Sequence, residues 1–281
     1  MTNVLLATFA LLPDGETGGD LVVAALADQG ISSRWVSWDD ATVDWAAADL
    51  VAVRSTWDYH RRRADFLAWA RAVEGETRLL NGADAFEWNC DKAYLTDLDD
   101  LPVVPTALLD DATLVRGLQT ALDRFGAVVI KPRTGAGGVG VVVAESTSDP
   151  RLEGLTAAPW VVQPLVESVR TEGERSVYVF DGTAVCQVDK LPGGDEIRVH
   201  ELYGGASLPG ALGAESEELA ERALRAVAAR LGPAPAYARV DMMRYDGGLA
   251  VSEVELIEPG LYLDVVPENA ARFAELVARH L

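Results

Sequence analysis

Near the C-terminal end, Arg239-Val240-Asp241 and Glu253-Val254-Glu255 stand on either side of Asp246-Gly247-Gly248. The stretches Tyr237–Tyr245 and Leu249–Ile257 read as two strands of a hairpin, because Asp and Gly tolerate the positive φ that tight turns need. With a three-residue turn, Tyr245 pairs with Leu249, Asp241 with Glu253, and Arg239 with Glu255. The two-residue repeat of a strand then puts all four side chains on one face, with opposed Cβ atoms roughly 5 Å apart. Carboxylates that close repel, and one is protonated unless a cation lies between them. Oxygen ligands suit Mg2+, which keeps part of its water and also takes phosphate oxygens. Arg239 beside them can neutralise charge that develops in phosphoryl transfer. A solvated face of ion pairs is the competing reading of these residues, and a two-residue turn would shift the register and dismantle the constellation.

A second chemical signal is VVIKPRTGAGGVGVVV, in which a β-branched strand ends at Lys131 and Gly135, Gly137, Gly138 and Gly140 follow. Glycines let backbone N–H groups approach a phosphate, and Lys131 supplies a point charge. The lysine precedes the glycines and no GK[ST] follows, so this is not a Walker A loop. A strand rather than a helix comes next, which excludes a dinucleotide fingerprint. A plain glycine-rich hairpin turn is the alternative. Lys92, in WNCDKAYL, is a second basic candidate.

A third group, Arg54, Trp57 and Asp58, follows the apolar run Leu50–Val53. Strand ends in parallel sheets border ligand crevices. Arg54 could clamp a carboxylate, Asp58 hold an ammonium and Trp57 form a wall, which is what an amino-acid-like substrate requires; ion pairing with Arg61–Arg63 and a core tryptophan is the alternative. His60 and His200 are candidate proton carriers, each also readable as structural.

The elements that must position these groups change character along the chain. Val4–Leu6, Arg34–Val36 and Leu50–Arg54 read as strands and Gly19–Gln29 and Arg63–Glu74 as helices, an alternation that implies a parallel sheet. After an expected break near Asn81–Asn89, helices follow at Asp91–Asp97 and Ala112–Phe125, with strands at Ala127–Lys131 and Trp160–Pro164. Val177–Phe180 and Thr183–Lys190 form a hairpin about Asp181-Gly182. Leu191–Leu212 holds five glycines and two prolines, and reads as a mobile loop without regular structure. Helices at Glu215–Leu231 and Pro267–His280 complete the chain. The expected fold is an α/β N-terminal domain (1–87) followed by an α+β body of a small lobe (88–166) and a large lobe carrying the metal site (167–281).

The 281 residues carry a formal net charge of −20, which repels nucleic acid and anionic membranes, so neither is an expected partner. In so acidic a chain a well-placed lysine is informative. The two cysteines make no disulfide framework and no zinc motif, which fits a reducing cytoplasm. The apolar run in MTNVLLATFALLP has no basic residue before it and is too short to span a bilayer, so it reads as a buried strand. A homodimer is an allowed assembly.

Taken in order, Lys92, Lys131 with its glycine loop, Gln163-Pro164, Glu174, Lys190, Arg198, Arg239-x-Asp241 and Glu253-x-Glu255 resemble the ATP-grasp superfamily, which includes D-alanine–D-alanine ligase and glutathione synthetase. RSTWDYH, WNCDKAYL, EGERSVYVFDG and VELIEPGLYLD look like the group of cyclo-ligases that make D-cycloserine. The resemblance implies ATP and Mg2+ held between two antiparallel lobes. Lys92 and Lys131 would contact the α- and β-phosphates, and the Gly135–Gly140 loop would close over them. The backbone of Gln163, Pro164, Leu165 and Val166 would read adenine, and Glu174 would hold the ribose. Lys190 and Arg198 would approach the γ-phosphate. Asp241, Glu253 and Glu255 match the metal positions, and Arg239 matches the transition-state arginine. The family often has Glu-x-Asn where this chain has Glu253-Val254-Glu255, an additional carboxylate.

The implied reaction activates a carboxylate as an acyl phosphate and passes it to an amine, by positioning and charge stabilisation alone. Tyr203, Gly204 and Gly205 would offer backbone N–H groups to the acyl oxygen. The substrates would be a small carboxylate and an amine, joined or closed into a ring. A nucleotide-binding regulator without catalysis is the third reading, against which stands the presence of Lys131, Arg198, Arg239 and every carboxylate.

Overall fold

The structure, a computed structural model, describes residues 2–98, 100–156 and 158–281. Its first sheet has the order β2-β1-β3-β4, all parallel, from β1 (Asn3–Thr8), β2 (Ser32–Ser37), β3 (Leu50–Ser55) and β4 (Arg78–Leu79). The helices α1 (Gly19–Asp28) and α2 (Arg63–Glu76) cover it, and α3 (Ala83–Asn89) leads away. β3 is buried along its whole length, as a strand with helices on both faces must be.

A second sheet, β5-β8-β6-β7, is antiparallel. It joins β5 (Ala107–Leu109), β6 (Val128–Pro132), β7 (Val142–Ala144) and β8 (Trp160–Pro164), with α4 (Leu114–Phe125) packed on it. Lys131 leaves the end of β6, and the glycine loop joins β6 to β7. The loop glycines 137, 138 and 140 have φ of 60°, 71° and 74°, open to glycine and costly for other residues.

After the short α5 (Ser168–Thr171), the third sheet runs β11-β10-β9-β12-β13. It consists of β9 (Glu174–Phe180), β10 (Thr183–Leu191), β11 (Ala206–Gly210), β12 (Tyr237–Tyr245) and β13 (Gly248–Glu255), backed by α6 (Ala214–Leu231). The run expected to lack regular structure thus contains a strand: β11 pairs with β10 from Gln187–Gly210 to Leu191–Ala206. It is an edge strand, where Pro209 can face outward without breaking a ladder, and its composition hid it.

The second hairpin corrects one expectation and keeps its consequence. Its turn holds two residues, Asp246 and Gly247, with φ of 50° and 84°, and Tyr245 pairs with Gly248. A β-bulge between Asp241 and Met242 leaves Ser252 as the extra residue of β13. Beyond it Asp241 faces Glu253 and Arg239 faces Glu255 after all. The last helix, α7 (Glu268–Arg279), returns to the first sheet: Phe273, Ala274 and Val277 share a core with Val4, Leu6, Val22 and Tyr237.

Candidate active site

The third sheet, the glycine loop of the second and the turn that carries Lys92 contribute to one charged crevice. From β12, Arg239 makes a bidentate contact with Asp241 at 2.8 Å through Nε and Nη2, and reaches Glu255 at 2.5 Å. Ser176 of β9 donates to Asp241 at 2.6 Å, and Lys190 of β10 lies 3.2 Å from Glu174 and 3.4 Å from Asp241. Lys92 pairs with Glu253 and lies 3.4 Å from the Gly135 carbonyl oxygen, so it bridges the carboxylate hairpin and the glycine loop. The bulge residue Ser252 donates to Glu174 at 3.2 Å. Tyr262 has an unusual φ of 51° for an aromatic, and its ring faces Lys190 at 5.6 Å and Arg239 at 6.0 Å.

These contacts separate carboxylates of one composition into different states. Burial alone would raise Asp241, but Arg239 and then Lys190 outweigh it and hold the carboxylate well below its ordinary range. Glu253 is likewise lowered against burial by Lys92 and Lys131. Glu255 goes the other way: burial prevails over Arg239, and Asp241 and Glu253 add repulsion, pushing it up to about 7. Ligand oxygens of Asp241, Glu253 and Glu255 lie within 4.8 Å of one another. An all-oxygen donor set that close, with one carboxylate raised above its ordinary range by burial and by its neighbours, fits a hard divalent cation.

Lys131 is the cation of the crevice with no ion pair among the described residues, and burial lowers its pKa. A half-buried ammonium beside a positive-φ glycine loop fits a phosphate oxygen. Opposite the loop, Arg198 stacks on Tyr203 at 3.5 Å and pairs with Glu196, and a Cβ on Gly138 would meet Tyr203 at 3.2 Å and Arg198 at 3.3 Å. The loop and the 191–205 run therefore touch across the crevice. Gln163 is buried and donates to Thr106 at 2.9 Å. Pro164 ends β8, the Leu165 N–H is taken by the Ala127 carbonyl at 3.0 Å, and Val166 packs with Val104 and Ala250.

Other expected roles do not fit the geometry. Arg54 is fully buried and not a crevice-facing clamp: it stacks over Phe273 at 4.6 Å, donates to the Pro259 carbonyl at 2.5 Å and pairs with Glu16 at 3.4 Å. The strand end predicted its position, while segments more than 200 residues onward closed over it. Asp58 is not a free ammonium acceptor, since it takes Trp38 Nε1 at 2.9 Å and Arg62 at 2.7 Å. The amides of Tyr203, Gly204 and Gly205 are not free for an acyl oxygen, because they close a turn on His200 and Glu201 carbonyls at 2.9, 2.9 and 3.3 Å. His200 caps that turn through Nδ1, and burial lowers its pKa, as burial lowers that of His60.

The segment just after β13 entered the sequence reading only as the motif VELIEPGLYLD, and its residues beyond Glu255 were given no role. Five successive carbonyls there are held by side chains: Ile257 by Tyr237 (2.8 Å), Glu258 by Trp57 (3.2 Å), Pro259 by Arg54, Gly260 by Tyr178 (2.5 Å) and Leu261 by Asn269 (2.9 Å). Glu16 accepts the Leu261 N–H at 2.5 Å. Glu258, presented by this strap, is buried, and its pKa is driven far up by burial and then by Glu255. The available signal was a second acid, three residues after Glu255 in the run VELIEPG and just ahead of Pro-Gly.

Two antiparallel lobes, a glycine loop with its lysine and an Asp-Glu-Glu cluster on a hairpin are the parts of an ATP-grasp ligase. Residues 4–81 match the family described as D-cycloserine synthetase DcsG, N-terminal domain. The cycloserine biosynthesis protein DcsG of Streptomyces lavendulae is 34% identical over 273 residues, 90% of each chain. A crystal structure of D-cycloserine synthetase DcsG superposes with a TM-score of 0.87 at 30% identity, over 99% of both chains. D-alanine–D-alanine ligase from Bacillus anthracis complexed with ATP shares the fold, with a TM-score of 0.73 at 16% identity over 99% of this chain and 97% of that one. The protein belongs to the D-cycloserine synthetase group of ATP-grasp enzymes. It is an enzyme of ATP-dependent amide-bond ligation, with ATP and Mg2+ as its cofactors. Among the described residues no helix is long and apolar enough to cross a membrane.

Proposed function

We propose that the enzyme closes a small amino-acid-like substrate into a ring through an acyl phosphate. A substrate carboxylate oxygen attacks the γ-phosphorus of ATP and ADP leaves. A nitrogen of the same molecule then attacks the acyl carbon, phosphate leaves with the bond electrons, and the nitrogen loses a proton. Mg2+ supplies charge neutralisation at the phosphate oxygens. Asp241, Glu253 and Glu255 would hold it, which requires Lys92 and Arg239 to give up part of their present pairing. Lys131 and Lys92 bind the phosphates, and Arg239 and Lys190 stabilise the equatorial charge in flight. Arg198, stacked on Tyr203 beside the glycine loop, adds its charge to theirs and excludes water on that side.

The observation that carries the reading is the meeting of unpaired Lys131 with the Asp241–Glu253–Glu255 cluster at one crevice. Ring closure is preferred to joining two molecules because the whole-length likeness is to a D-cycloserine synthetase. A panel of small amino acids bearing a second nitrogen, followed by phosphate release and product mass, tests it. The expected product is lighter than the substrate, and a product heavier than either substrate would show intermolecular joining. Glu253→Gln should lower turnover about 1,000-fold with the fold retained, as loss of a metal ligand demands.

A further inference from the structure

The charges of the crevice can be matched almost one to one. Arg239 answers Asp241 and Glu255, Lys190 answers Glu174 and Asp241, and Lys92 answers Glu253. Two groups are left over. Lys131 is one, and phosphate accounts for it. Glu258 is the other: it is 7% exposed, yet its carboxyl group has no hydrogen bond or ion pair among the described residues.

Glu258 is neither a stray surface acid nor a fourth member of the metal group, which comprises Asp241, Glu253 and Glu255. It stands three residues after Glu255, where the strap leaves β13, and after burial the charges that act on it are Glu255, Lys92, Arg239 and Glu253. Its backbone is fixed by the strap, with Trp57 on its own carbonyl and Arg54 on the next. Trp57 also lies 3.5 Å from where a Cβ on Gly260 would stand. Tyr59 is buried, its hydroxyl has no partner among the described residues, and Glu258 is its first charge neighbour. Burial and Glu255 keep this unpartnered acid protonated in the free protein, and a cation arriving from outside would let it ionise and become its partner.

We propose that Glu258 receives the ammonium group of the substrate and so selects zwitterionic, amino-acid-type molecules over plain carboxylic acids. The assignment rests on the ligase reading above for the direction of the substrate's carboxylate, toward Lys131 and the metal cluster. It replaces Asp58, whose oxygens are occupied.

The test is calorimetric, with D-cycloserine and N-acetyl-D-cycloserine as probes, on full-length enzyme holding Mg2+ and ADP. The wild type should bind D-cycloserine at least ~30-fold more tightly than the acetylated probe, the scale of a lost charge-assisted contact. Glu258→Gln should abolish that preference and leave ADP affinity within about twofold, while Glu258→Asp, which keeps the charge, should retain part of it. Unchanged ADP binding also certifies the fold of each variant. Equal affinity of wild type and Glu258→Gln for D-cycloserine, or no preference for the free amine in the wild type, would overturn the assignment. Failure of the ligase reading shows elsewhere, as absence of ADP formation with every member of the substrate panel, and leaves the difference between variants intact.

Discussion

The strap at 256–261 and the run at 191–210 border the same crevice and are held in opposite ways. Every residue of the strap but Gly260 is buried, and side chains from four distant parts of the chain clasp its carbonyls. No residue from 191 to 210 is buried, and its turn is closed by its own backbone. The strap is therefore pre-organised and carries Glu258 directly beyond Glu255. The run presents Arg198 and Tyr203 to the glycine loop on a support that can open. Site precision belongs to the first and access to the second.

Substitutions should separate the two. Arg54→Ala removes a buried guanidinium and strands Glu16, so it should cost about 3–5 kcal/mol in denaturant unfolding. Retention of wild-type stability would break the contrast. Arg198→Ala should leave unfolding within about 0.5 kcal/mol of wild type. It should lower kcat roughly 100-fold, as loss of a transition-state charge does. A large stability loss there would place the run with the strap.

The next effect is in pH. Glu255 sits near 7 when folded against an ordinary 4.5, so the folded state keeps a proton that the unfolded chain releases. Its stabilising contribution is complete below about 4.5 and is lost as pH rises through about 7. Glu255→Gln should remove a decline on the order of 2 kcal/mol between pH 4.5 and 8 in the ligand-free protein. Identical pH slopes in the two proteins would contradict the assigned state. The smallest expected change is in Tyr237→Phe, which loses one strap contact and should cost about 1 kcal/mol.

How far the sequence could be read follows the range of each interaction. The pairing of the carboxylate hairpin was legible because strand periodicity fixes which side chains share a face, and one turn signal fixes the rest to within a residue. The missing residue of the turn was restored by the bulge at Ser252, which no local pattern announced. Lys131 was legible because its lysine-then-glycines order is local. Arg54 and Asp58 were misread because position after a strand does not tell what folds back from residues 257–273 or from Trp38. β11 was missed because its pairing with β10, rather than its glycine and proline content, makes it a strand. Glu258 carried almost no local signal, and its meaning lies in a charge balance visible only once every partner is placed.

The central claim, γ-phosphoryl transfer to a carboxylate, is tested most directly by separating the nucleotides of a working reaction. With a turned-over member of the substrate panel, the account predicts ADP and inorganic phosphate, each in one-to-one ratio with product. AMP and pyrophosphate in that ratio would contradict it.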